Sequence, residues 1–145
     1  MFSFLKKRRQ KRERAAEVKQ LGLDFADEIN AALDEWFAKV EEASQKFLER
    51  LKEQVTDLTP IEGETPREMS EVYLLENVED WREVRPTMEA SGREFLSQEF
   101  EVSREMGVDW RLEEVFAEKF NTAEFNFIAR AVIVAGEAAS AAEAA

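Results

Sequence analysis

The sequence predicts an all-α protein: a long N-terminal helix with three to four shorter helices, forming an elongated bundle. Three observations predict it. Five glycines and three prolines in 145 residues are too few turn-formers for an all-β domain. Hydrophobic residues make up 44% and charged residues 36%, which is apolar enough to fold and implies a densely charged surface. Apolar residues then recur with a mean step of about 3.6 over the first third of the chain, the α-helical period. The length suits one domain with its own core.

The periodic run comprises Val18, Leu21, Phe25, Ile29, Ala32, Trp36, Val40, Ala43, Phe47, Leu51, Val55 and Leu58. Leu33, Phe37 and Leu48 widen this stripe enough to meet two neighbouring helices. Glu35–Lys39 and Glu42–Lys46 are correctly oriented i,i+4 pairs on the wet side. Gly22 costs about 1 kcal/mol relative to alanine. Even from Leu23 to Leu58 the helix would span about 54 Å. A compact globule of this size is only about 40 Å across. The molecule is therefore expected to be elongated, or the helix to bend, or another chain to cover part of the stripe.

Pro60 and Gly63 place a linker at 59–65. Thr65-Pro66-Arg67-Glu68 reads as a helix start, with a threonine N-cap, proline in the first turn and glutamate completing a capping box. Thr59-Pro60-Ile61-Glu62 has the same form, and Gly63 limits it to a single turn. The next helix uses Met69, Val72, Tyr73, Leu74, Leu75, Val78 and Trp81, and is expected to break near Arg85 ahead of Pro86. A third runs from Thr87 through Met88, Phe95, Leu96, Phe100, Val102 and Met106 to Gly107, weakened at Ser91-Gly92. Asp109 caps a short helix with Leu112, Val115, Phe116 and Phe120, and Asn121 with Glu124 caps the last. That last segment is apolar nearly all round. Val132-Ile133-Val134 would also suit a strand, but no second strand offers a partner, so the expectation is a helix. The organisation expected is a basic extension at 1–17, a helical domain at 18–138, and an alanine-rich tail at 139–145 prone to fray.

With no cysteine and no histidine, thiolate and imidazole catalysis and zinc sites built on those residues are excluded. No Walker A, EF-hand or dinucleotide-binding motif is present, and a di-iron bundle site would need histidine. No cofactor, metal or small-molecule substrate is expected. Glu76, Glu79, Asp80 and Glu83, and Glu113 with Glu114, form carboxylate groupings that read as solvated helix faces. Glu99 shares an apolar stripe and Arg130 stands alone in the most apolar helix; Arg130 is expected to snorkel at the rim, with a buried Glu99–Arg130 pair as the lesser alternative. The aromatics Trp36, Phe37, Phe47, Tyr73, Trp81, Trp110, Phe116, Phe120 and Phe125 read as core. No secretory h-region follows the N-terminus, no run reaches the roughly 20 apolar residues of a membrane span, and Glu124, Arg130 and Glu137 speak against insertion of the last segment. The expected location is cytoplasmic, soluble or peripheral at the inner membrane face.

The net charge of −12 hides a division, with +6 on residues 1–20 and −18 on the remainder. The N-terminus "MFSFLKKRRQKRER" supports three readings, ranked in this order. It is a solvated helix extension, docking where it docks at all on the acidic body of a neighbouring subunit. It is a peripheral anchor in which Phe2, Phe4 and Leu5 enter the headgroup boundary and Lys6, Lys7, Arg8, Arg9, Lys11, Arg12 and Arg14 meet anionic lipid. Or it is a nucleic-acid arm, which has no use for the leading phenylalanines. The function expected is non-enzymatic: an oligomeric helical assembly or adaptor protein with a basic tether. Its partner contacts are expected at Phe25, Ile29, Trp36, Phe37, Phe125, Ile128 and Val132. A nucleic-acid-associated structural protein is the alternative, and a carboxylate enzyme ranks last.

Overall fold

A computed structural model describes residues 2–59, 61–105 and 112–144; within them, the side chains of 2–5, 18–19, 21–26, 99–100, 102–105 and 112 are not described. The all-α expectation holds. The described residues form α1 (Phe2–Thr56), α2 (Pro66–Glu105) and α3 (Leu112–Ala144), each in contact with the other two. Three helices in mutual contact enclose one core, because each apolar stripe must be covered by two partners.

From Ile29 onward the stripe of α1 lies in that core. Ile29, Leu33, Trp36, Val40, Leu48, Leu51 and Val55 are buried, with Phe37 and Phe47 packed at the edge. The α1–α2 connection follows the turn chemistry of its residues. The Glu64 amide donates to the Ile61 carbonyl at 3.0 Å, and Gly63 between them takes φ +90°, open to glycine without a Cβ penalty. No helical turn forms at the described residues of Thr59–Glu62. The capping box closes as its sequence implies: the Glu68 amide donates to Thr65 Oγ1 at 3.2 Å, and the Thr65 amide donates to Glu68 Oε2 at 3.4 Å.

The finer subdivision differs from expectation. Instead of three or four shorter helices, two long ones follow α1 among the described residues, because neither Pro86 nor Asn121 ends a helix. Pro86 removes one intrahelical hydrogen bond, from its own position to Arg82. Both residues are exposed, which leaves the freed carbonyl open to solvent, while Trp81 and Leu96 bury on either side and hold the helix together. Gly92 is not a weak point either; it is buried where α2 passes the rings of Phe116 and Trp36. Asn121 sits within α3 and accepts a hydrogen bond from Arg85 at 3.1 Å. The expected stop at Gly107 and cap at Asp109 lie outside the described residues. The alanine tail continues α3 to Ala144, with Ala135 and Ala139 buried, since small side chains let the helix approach its neighbours closely.

Polar groups cross-link the bundle at two levels. Asn77, fully buried, accepts from Arg50 Nε at 2.9 Å and donates to Gln54 Oε1 and the Tyr73 carbonyl, both at 2.8 Å. Arg50 also pairs with Asp80 at 2.5 Å. Asn77→Leu keeps the branched shape, adds bulk at a fully buried site and strands the inward-facing Arg50 and Gln54 groups. It should lower unfolding free energy by about 1–2 kcal/mol, read by urea denaturation. A layer away, Arg85 pairs with Glu89 and with Glu124, both at 2.5 Å, and lies over the Phe120 ring. The hydrogen bond to Glu89 comes first in holding the Arg85 guanidinium above its ordinary pKa, against partial burial, with Glu124 assisting.

Candidate interaction site

The sequence of α3 decides what it shows to solvent. A helix in a three-helix bundle can bury two faces, and α3 is apolar on the third as well. Phe116, Phe120, Phe127, Ala131, Ala135 and Ala139 form its buried side. At i, i+7 and i+8 on the opposite side stand Phe125 (72% exposed), Val132 (51%) and Ile133 (57%). Ala129 and Gly136 fall between them on the same face, so no charge interrupts it from Phe125 to Gly136. Large exposed apolar residues scattered singly are ordinary; here they are aligned on one helix face and make a continuous apolar patch.

Beside this face runs an open groove between the C-terminal halves of α1 and α3. One section, of about 830 Å³, is lined by Val55, Leu58, Val134, Ala138 and Ala142, with Lys52, Asp57 and Glu137 on its walls. The next, of about 450 Å³, shares Lys52 and Val134 and adds Leu48, Arg130 and Ile133. An open trough of this kind, apolar along its floor and charged at its walls, suits a helix or a chain segment better than an enclosed small molecule. No group of three or more Asp or Glu side chains among the described residues is placed to hold a metal ion. Glu76, Glu79 and Glu83 are exposed, and Asp80 is taken by Arg50.

Of the expected contact residues, Phe125 and Val132 are at the surface. Ile29 and Trp36 are instead buried in the chain's own core, and Phe37 and Ile128 pack partly buried against it. The reason is that α2 and α3 are each long enough to cover the α1 stripe, which the expected shorter helices would have left open. The Phe25 side chain lies outside the described residues, as do those of Phe2, Phe4, Leu5 and Glu99. Arg130 snorkels to the rim, where it reaches Glu41 on α1 at 3.2 Å. Lys6, Lys7, Arg8, Arg9, Lys11, Arg12 and Arg14 are all exposed on α1, which continues without a break into the bundle. Sequence reasoning missed Ile133 as a surface residue and Asn77 as a core one. For Asn77 the signal was present, since it lies four residues before Trp81 and one before Val78 on the inward stripe.

By length and composition, one described helix, Glu113–Ala144 within α3, is apolar enough to cross a membrane. No uninterrupted apolar run exists there, but Glu124, Arg130 and Glu137 are too sparse to offset the rest. In the bundle, Glu124 accepts from Trp81 Nε1 at 3.0 Å, and Ser70 Oγ donates to the Ala135 carbonyl at 2.6 Å. Both contacts tie α3 to α2.

No protein-family model, no curated protein and no solved structure matches this chain.

Proposed function

We propose that this chain is a non-enzymatic helical assembly or adaptor protein, oligomeric through the outward face of α3, with its basic N-terminal helix as a tether to an anionic surface. What supports the reading is the alignment of Phe125, Val132 and Ile133 on one uncharged helix face. Fully burying a side chain of this class contributes about 1.5–3 kcal/mol. Covering the remaining exposure of three of them therefore offers several kcal/mol toward association, before the cost of ordering. On this reading the protein acts in the cytoplasm, at or near an anionic partner, which includes the inner membrane face.

Light scattering coupled to size exclusion tests it. The wild type is expected to exceed monomer mass, and Phe125→Asp/Val132→Asp should weaken association by roughly a hundredfold, since both carboxylates would need desolvation at the contact. Their exposure means that intrinsic stability should change little. A compact wild-type monomer at all concentrations would overturn the proposal.

A further inference from the structure

The outward face of α2 differs in kind from that of α3. Glu76, Glu79 and Glu83 recur there at i, i+3 and i+7, next to Val72 and Leu75, which are 52% and 59% exposed. None of these acids takes part in an ion pair among the described residues, and Glu79 and Glu83 repel each other at i,i+4. Arg82 borders this stripe on the Leu75 side, at i,i+3 from Glu79, and takes part in no ion pair among the described residues, so three acids stand against one cation. The face thus carries unpaired negative charge beside uncovered apolar surface. A complementary surface is present on the same chain: Lys6–Arg14 are helical, exposed and free of ion pairs among the described residues.

We infer that the α2 face of one copy receives the N-terminal helix of a second copy, antiparallel, with Lys7 opposite Glu83, Lys11 opposite Glu79 and Arg14 opposite Glu76. The spacing selects this register. Read antiparallel, the acids require cations at x, x+4 and x+7, and among residues 1–20 only Lys7, Lys11 and Arg14 provide them. Read parallel, they require x, x+3 and x+7, which no three cations there satisfy. The same register brings Ala15, a small residue, over Leu75, where the helices can approach closely.

The occupant must come from a second copy. The acidic stripe lies beside Arg50, which pairs with Asp80. Lys11 is 39 residues up the same unbroken helix, about 58 Å along its axis. The arm cannot reach its own α2 without breaking α1. Each copy holds one arm and one receiving face, so the contact is heterologous; it closes into a ring or dimer or propagates, and each gives a mass above the monomer.

This inference rests on the assembly reading and names the anionic partner of the tether. Its test is a charge swap, followed by light scattering at low and high salt. E76K/E79K/E83K and K7E/K11E/R14E are each expected to weaken self-association by roughly tenfold to a hundredfold. The chain carrying all six changes should regain it, because the three contacts re-form with signs exchanged. High salt should weaken wild type and swapped chain alike. Helical circular dichroism serves as the folding control for these exposed positions. Failure of the six-fold variant to recover, or indifference of association to either triple variant, would overturn the inference while leaving the α3 contact to its own test. Loss of binding to phosphatidylserine vesicles or to duplex DNA in K7E/K11E/R14E, with self-association unchanged, would assign the arm to that surface and also overturn it. A monomeric wild type would overturn both proposals.

Discussion

Trp81→Ala lowers the free energy of unfolding by about 3–5 kcal/mol. Among the described residues Trp81 is the largest fully buried side chain, and it stands where all three helices meet. Its ring stacks on Phe127 of α3 at 4.8 Å between centroids and 27° between planes, and meets the edge of Phe47 on α1 at 6.1 Å. Truncation removes both contacts and leaves a void that three long helices cannot close without shifting along one another. It also removes the indole donor to Glu124 Oε2. That carboxylate still has Arg85 at 2.5 Å, so the loss of one donor is secondary to the cavity. Trp81→Phe separates the two terms, since it keeps most of the stacking and loses only the donor and some volume. It should cost about 1 kcal/mol. Thermal and urea unfolding of both variants check the ratio; comparable losses would mean that the hydrogen bond, not the packing, holds this junction.

Gly92→Ala is the second, and its sign runs against helix propensity. In an exposed helix interior the change should stabilise by up to about 1 kcal/mol. At position 92, however, the new methyl would sit 2.5 Å from Phe116 Cε2 and Cζ and 2.7 Å from Trp36 Cη2. Both rings are buried and held in an aromatic cluster, at centroid distances of 5.4 Å from each other and 5.1 and 5.4 Å from Phe37. Overpacking of this kind costs about 1–3 kcal/mol, so Gly92→Ala should destabilise on balance, and Gly92→Leu by about 3 kcal/mol or more. Gly136→Ala is the internal comparison. Nothing lies within 4 Å of its Cβ position, and there the propensity gain should appear unopposed. Unfolding curves that shift both glycine variants in the same direction would refute the close α2–α3–α1 approach at Gly92.

These two positions show where sequence reasoning reaches. Trp81 was legible, because it continues the spacing of Met69, Tyr73 and Val78 and a large aromatic on such a stripe is normally core. Gly92 reads as a weak point in the sequence, since glycine carries a low intrinsic propensity and its use as a close-approach site depends on rings more than 20 residues away, Trp36 in α1 and Phe116 in α3. Pro86 was misread for a related reason: the cost of one lost hydrogen bond is local, whereas the burial on either side that outweighs it is tertiary.

The candidate surfaces divide in the same manner. Phe125 and Val132 were named as contact residues, because a helix apolar all round must leave something uncovered in a small bundle. Ile29 and Trp36 were named on equal grounds and turned out to be interior. The sequence by itself determined the helical period, the capped turn at Thr65–Glu68 and the separation of a basic arm from an acidic body, since each follows from residues within a few positions of one another. Only the tertiary structure decided which apolar faces are satisfied within the chain, which glycine is a contact and which acids stay unpaired. Periodicity orients a side chain relative to its own helix axis, whereas burial depends on how far the other two helices extend to meet it.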